Sequence, residues 1–419
     1  MEARSARRAV VTGLGLVTPV GLTTEETWAN LLAGCSGAGP ITQFDAQGFP
    51  VRFACEVKGF DPERYIDRKE VKRTDRYAQF ALAAAAQAMA QAGLADAPAG
   101  LDPERFAVVL GSGIGGIQTF EEQTRRLLER GPERVSPFFV PMFIADMAAG
   151  LVSIRFGAKG PNFATVSACA SSAHAVGQAL RLIRTGEADV VLAGGSEASI
   201  TPMAVAGFAA MKALSERNDH PTAASRPFDK DRDGFVMGEG AGVLVIEALE
   251  HAERRGAAVL AELVGFGQTA DAYHITAPPP GHEGAARAMR RALEDAGLGP
   301  EDVDYINAHG TSTPLNDAAE TAAIKAVFGP RAYELVVSST KSMTGHTLGA
   351  AGGIEAAICV LACKEGRIPP TINYTTPDPE CDLDYAPNAA VVRPVRAALS
   401  NSFGFGGHNA ALVFRRWPA

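Results

Sequence analysis

Short apolar runs alternate with longer amphipathic stretches along nearly the whole chain, and this alternation most narrows the fold. Strand-like runs are AVVTGL (9–14), FAVVLG (106–111), NFATVS (162–167), DVVLAG (189–194) and GVLVIE (242–247). A second set follows: LAELVGF (260–266), DYINAH (304–309), LVVSST (335–340), AALSNS (397–402) and AALVFR (410–415). Between them the apolar period lengthens to that of a helix. In residues 169–185, Ala173, Val176, Leu180 and Ile183 share a face ahead of Gly186; in 283–296, Met289, Leu293 and Ala296 do so ahead of Gly297. Strands alternating with helices in this way predict an α/β protein with buried, mainly parallel strands.

The two sets echo each other. NFATVSACASSAHAVGQAL runs strand, Ser/Cys-rich turn, helix, and LVVSSTKSMTGHTLGAAGGIEAAICVLA repeats that order. The charged stretch EHAERRGA divides the chain into halves, residues 1–255 and 256–419. No Ser- or Pro-rich linker separates them, so the halves are expected to pack as one body.

Charge and composition exclude several classes. A net charge of −8 argues against a general nucleic-acid binder. No apolar run approaches the roughly 20 residues that span a bilayer, and MEARSARR runs directly into a Gly- and Pro-containing strand and turn, unlike a signal peptide. The six cysteines show no metal-type spacing, which fits reduced thiols. The expectation is a soluble, cytoplasmic protein.

Two motifs mimic known sites. GSGIGG (111–116) has the spacing of a dinucleotide loop, but the strand closed by an acidic residue that should follow is replaced by EEQTRRLLERGPER. DKDRDGFVMGEG (229–240) has acids at positions 1, 3 and 5 of a calcium loop, yet its twelfth residue is Gly240, where a bidentate Glu is needed. Both read as Gly-rich turns.

Chemistry concentrates at three strand ends. Cys169, in VSACASS, sits where a strand gives way to a helix, whose first N–H groups favour a thiolate; the alternative is a buried structural cysteine. Iodoacetamide is then expected to label Cys169 ahead of the other five cysteines. His309 lies in NAHGTSTP, and His346 in SSTKSMTGHTLGAAGG with Lys341 five residues before it; each alone reads equally well as a turn. NSFGFGGHN (401–409) supplies glycines that allow close backbone approach and an N–H suited to an oxyanion hole. His174, His220, His251, His274, His282 and His408 read as structural or surface residues.

Taken together, these strings resemble the β-ketoacyl-[acyl-carrier-protein] synthases of fatty-acid synthesis, the synthase II type above all. The likeness runs from VVTGLGLVTPVG through SRPFDKDRDGFVMGEGAG to GFGGHN. It implies a thiolase-like fold, two βαβαβ-type halves packed as one five-layered αβαβα body, and a homodimer. By this resemblance Cys169 is the acyl-accepting nucleophile, His309 and His346 the active-site histidines, and Lys341 the lysine beside them. Phe405 is the gating phenylalanine, whose N–H joins that of Cys169 in the oxyanion hole. Thr311 and Thr313 meet the pantetheine arm, and Ile114, Phe139 and Phe208 line the acyl pocket. Lys69, Lys72 and Arg73 meet the carrier protein. Asn307, Ala308, Glu355, Ser400 and Asn401 correspond to a monovalent-cation site of some members.

The implied reaction is decarboxylative condensation of acyl- and malonyl-carrier proteins, with no cofactor beyond the carrier's phosphopantetheine. The alternative within the family is a ketosynthase of a type II polyketide or polyene pathway. A nicotinamide oxidoreductase rests on GSGIGG alone, and an inactive partner subunit is opposed by the presence of Cys169.

Overall fold

The computed structural model describes residues 7–95 and 101–418; most of the basic leader lies outside them. All ten predicted runs become strands of one hydrogen-bonded sheet. In chain order they are β1 (Ala9–Val17), β2 (Phe106–Gly111), β3 (Asn162–Thr165), β4 (Val190–Glu197) and β5 (Gly240–Ala248). The second half supplies β6 (Ala261–Ala270), β7 (Tyr305–Asn307), β8 (Val336–Ser338), β9 (Ala397–Gly404) and β10 (His408–Arg416). Their spatial order is β8-β7-β9-β10-β6-β1-β5-β4-β2-β3.

From either edge inward the pairing is the same. β3 and β4 flank β2 in parallel, then β5 and β1 follow antiparallel. In the other half β8 and β9 flank β7 in parallel, and β10 and β6 follow antiparallel. The halves meet where Ala9–Val11 pairs with Ala261–Leu263. The internal echo is therefore a duplicated strand order. The expectation of mainly parallel strands needs correction, because the pairings nearest the centre are antiparallel. The cause is burial: all nine residues of β5 are buried, and a strand covered on both faces reads as one apolar run whichever way its neighbours point.

Six helices give the layers: α1 (Arg76–Gln91), α2 (Ile117–Arg130), α3 (Ser171–Thr185), α4 (Glu283–Ala296), α5 (Pro314–Phe328) and α6 (Ala351–Glu365). α1 covers β1, β4 and β5, while α4 covers β6 and β10. Between the two sheet halves lie α3 and α6, which touch each other and strands of both halves, so the order is helix, sheet, helix, sheet, helix. α6 is buried from Ala351 to Cys363, as expected of a helix apolar all round. Its backbone runs against β5 at Gly353, where an added Cβ would come within 2.4 Å of Gly242 O. Both predicted helix stops adopt the left-handed conformation, Gly186 at φ +76° and Gly297 at +65°.

The two mimic motifs serve the fold. Gly113 and Ile114 donate their N–H groups to Glu197, and the Asp229 carboxylate accepts from the N–H groups of Thr375, Thr376 and Asp231. Among the described residues no helix is long and apolar enough to cross a membrane.

Candidate active site

Three strand-end turns converge between the sheet halves. The turn after β3 presents Cys169 in a single 3-10 turn before α3; the turn after β7 presents His309 before α5; the turn after β8 carries Lys341 and His346 before α6. The Cys169 sulfur and one ring nitrogen of each histidine all lie within 4.8 Å of one another, and all three residues are buried. The two imidazoles stand edge to face with centroids 5.3 Å apart. Each turn contains a non-glycine residue at positive φ: Ala168 at +50°, Ser312 at +66° and Leu348 at +47°. Such conformations cost about 1–3 kcal/mol each, and they cluster here around the three reactive groups.

Burial fixes the protonation states. It pushes both histidines well below their usual range, and the nearby Lys341 ammonium pushes the same way, so both rings are neutral near pH 7. His346 Nδ1 accepts from Leu348 N–H at 3.3 Å, an assignment that leaves its proton on Nε2. Lys341 is itself buried and pairs with Glu355. The Cys169 thiol is pushed up to about 12, chiefly by burial; Lys341 opposes this, Glu197 adds to it, and the N–H groups of Phe405 and Cys169 oppose it. The sequence-based expectation of a depressed thiol is therefore corrected: the N–H of Cys169 in its 3-10 turn and that of Phe405 do face the sulfur, but burial outweighs them. Cys35, in contrast, is exposed, so the expected order of iodoacetamide labelling loses its structural basis.

A cavity of about 380 Å³ opens onto this centre. Phe405, Phe208, Thr311 and Thr313 line it, and the two threonine hydroxyls hydrogen-bond at 2.9 Å. Gly404 brings the Phe405 backbone in close: a Cβ there would lie 2.5 Å from Ser167 O. Ile114 does not line the cavity but packs against the apolar cluster that includes Cys169 and Leu348. Phe139 lies apart, stacked on Phe143. Lys69, Lys72 and Arg73 are exposed; Arg73 pairs with Glu70 and lies over the Phe138 ring, whereas Lys69 and Lys72 enter no ion pair among the described residues. At the suggested cation site, Asn307 Oδ1, Asn401 Oδ1, Ser400 Oγ and Glu355 Oε2 are buried without hydrogen-bond partners. Four unpaired oxygens suit a hard cation.

Sequence reasoning missed several residues here. Glu197 is fully buried at the end of β4, and nothing about one Glu in GGSEAS marks it. Glu320 accepts the N–H groups of His309 and Gly310, shaping the histidine turn; its only sequence signal is an acid inside an otherwise buried helix face. His282, read as structural or surface, lines the cavity and packs on Phe403 with centroids 4.6 Å apart.

Comparison with known proteins agrees with this geometry. Residues 6–252 match the family described as "Beta-ketoacyl synthase, N-terminal domain", and residues 260–375 match "Beta-ketoacyl synthase, C-terminal domain". A 3-oxoacyl-[acyl-carrier-protein] synthase 2 of Synechocystis sp. is 55% identical over 411 residues, covering 98% of both chains. One from Staphylococcus aureus (strain N315) is 54% identical over 415 residues, covering 99% of both. Among solved structures, a type II PKS acyl-carrier protein in complex with its ketosynthase bound to the hexaketide aligns with TM-score 0.92 at 39% identity, over 99% of this chain and 100% of that one.

Proposed function

The chain belongs to the β-ketoacyl synthase family, and on that premise we propose that it joins acyl groups to malonyl units on acyl carrier protein (ACP) in fatty-acid elongation. Acyl-ACP and malonyl-ACP give 3-oxoacyl-ACP, carbon dioxide and free ACP. The observation that carries this reading is the meeting of one thiol and two neutral imidazoles within 4.8 Å at the floor of a cavity. Relatives named 3-oxoacyl-[acyl-carrier-protein] synthase 2 are 54–55% identical, against 39% for the type II PKS ketosynthase, which favours elongation over the polyketide or polyene alternative.

Cys169 attacks the acyl thioester, and the proton it loses ends on the departing pantetheine thiol. The N–H groups of Cys169 and Phe405 hold the oxygen as it becomes anionic. Malonyl-ACP then loses carbon dioxide. His309 and His346, being neutral, donate N–H to its thioester oxygen and stabilise the enolate without competing as acids. The enolate carbon attacks the acyl-Cys169 carbonyl; collapse of the adduct expels the Cys169 sulfur, which takes a proton from solvent. Loss of carbon dioxide drives the step, so no redox cofactor is needed. Lys341 supplies positive potential beside the sulfur and is held by Glu355. Residues 1–255 form the half that carries the nucleophile, and residues 256–419 the half that carries the histidines and lysine.

The pantetheine arm passes Thr311 and Thr313, and the acyl chain runs past Phe208 and Ile114. Acidic ACP docks on Lys69, Lys72 and Arg73, whose exposure supports steering. A homodimer is supported by exposed Phe120, Leu127, Leu128, Phe138 and Val140, together with the open edge strand β3 and its exposed Phe163. The four unpaired oxygens, with Ala308 beside them, would hold a monovalent cation. The protein works in the cytoplasm.

Intact-mass analysis after incubation with long-chain acyl-ACP tests the reading. One acyl adduct on Cys169 and release of labelled carbon dioxide from malonyl-ACP are expected; neither appearing overturns it.

A further inference from the structure

Glu197 is a fully buried carboxylate that enters no ion pair among the described residues and takes no part in the chemistry above. It nevertheless accepts four hydrogen bonds: from Ser112 Oγ at 3.0 Å, Ile114 N–H at 3.2 Å, Gly113 N–H at 2.7 Å and Gly349 N–H at 2.9 Å. The first three belong to the Gly-rich turn after β2. The fourth belongs to the loop that has just presented His346. The two loops cross over the carboxylate with no space to spare, since a Cβ on Gly349 would lie 2.2 Å from Gly113 N and 2.5 Å from Glu197 Oε2. A carboxylate is the group that suits four converging donors, because both its oxygens only accept.

We propose that Glu197 is a positioning residue that sets acyl-chain selectivity, by clamping the turn that carries Ile114 onto the loop that carries His346. The proposal rests on the function assigned above. Ile114 packs in the apolar cluster around Cys169, so its backbone position decides how much room a long chain finds. The same carboxylate lies close enough to Cys169 to disfavour its thiolate. The other charged or titratable groups facing that sulfur are Lys341, His309 and His346. Glu197 thus trades some nucleophile activation for a fixed placement of Ile114 against the cluster around Cys169.

Two variants test this in the full-length enzyme. E197Q keeps the shape but turns an N–H2 toward donors, and S112A removes one donor while leaving the carboxylate. kcat/KM would be measured on short and long acyl-ACPs, with melting temperature, and alkylation of Cys169 followed against pH by peptide mapping. Hydrogen bonds to a charged group are worth enough that E197Q should lower the long-to-short ratio about ten-fold, and S112A a few-fold in the same direction. In E197Q the Cys169 alkylation profile should also move to lower pH. Because burial raises Glu197 to about 7, that difference should be full above pH 7 and fade below it. If E197Q does not fold, S112A decides. A long-to-short ratio unchanged in the folded variants, with wild type forming its Cys169 adduct, overturns the inference alone. Absence of the adduct in wild type overturns the function instead.

Discussion

The turns that follow β3 and β8 hold matching places in the two halves. Each leaves an edge strand, passes a residue at positive φ (Ala168 or Leu348), makes a 3-10 turn and enters a central helix, α3 or α6. After the strained residue comes Cys169 in one half and Gly349 in the other. The Cys169 N–H faces its own sulfur, whereas the Gly349 N–H is spent on Glu197. The loops also differ in length: Ala168 lies 3 residues past the end of β3 (168 − 165), and Leu348 lies 10 past the end of β8 (348 − 338). Those seven extra residues hold Lys341 and His346. One backbone device thus serves twice, and the division of labour follows from a single position and one insertion.

The sharpest way to break this comparison is to make the two turns alike. Cys169→Ala removes the only thiol at either turn, so acyl adduct and condensation should both vanish. An adduct by mass spectrometry on the variant would place the nucleophile elsewhere.

Next in size are His309→Ala and His346→Ala, which strip the second half of its donors. Loss of one donor to a developing oxyanion costs about 100- to 1,000-fold, so release of labelled carbon dioxide from malonyl-ACP should fall by that order. Loading of Cys169 should fall less, because its own N–H and that of Phe405 remain. Collapse of loading with decarboxylation intact would reverse the assigned roles.

The same neutrality fixes a pH signature. Both histidines lie well below the ordinary 6.5, with burial the main cause. Between those lowered values and 6.5 the unfolded chain binds more protons than the folded one, so stability is full above pH 6.5 and declines as pH falls below it. Decarboxylation should stay flat from pH 8 to 6.5. Burial also raises Glu197 and Glu355 to about 7, so a rate that halves near pH 6.5, with the fold intact and the same profile in E197Q and E355Q, would mean that an imidazole titrates normally.

Ile114→Phe acts on the first half only. Overpacking an apolar site costs roughly 1–3 kcal/mol, or about 5- to 150-fold in kcat/KM against long acyl-ACPs, with short ones nearly untouched. Uniform loss across lengths, with a lower melting temperature, would make Ile114 ordinary core.

How much of this was legible follows from what each feature depends on. The ten strands and the stops at Gly186 and Gly297 were readable because apolar period and glycine placement are local properties. Strand direction was not, since β5 is covered on both sides. The Cys, His and Lys turns stood out by residue type, and the resemblance supplied their roles. The raised Cys169 thiol was hidden because the enclosure around it comes from both halves. Glu197 and His282 were invisible because their partners lie in other segments, Gly349 for Glu197 and Phe403 for His282.

The smallest effect tests the polar side of the comparison. The turn after β2 places an apolar Ile114 against the cluster that includes Cys169, whereas the turn after β7 lines the cavity with Thr311 and Thr313, hydrogen-bonded to each other. If the second half handles the pantetheine arm, Thr311→Val keeps the shape and removes one hydroxyl. A neutral hydrogen bond is worth about 0.5–1.5 kcal/mol, so KM for ACP-borne substrates should rise about 2- to 10-fold while kcat holds. A small acyl thioester lacking the pantetheine arm should not notice the change. If KM rises equally for both substrates, the threonines serve the turn rather than the arm, and the polar half of the comparison fails while the apolar half stands.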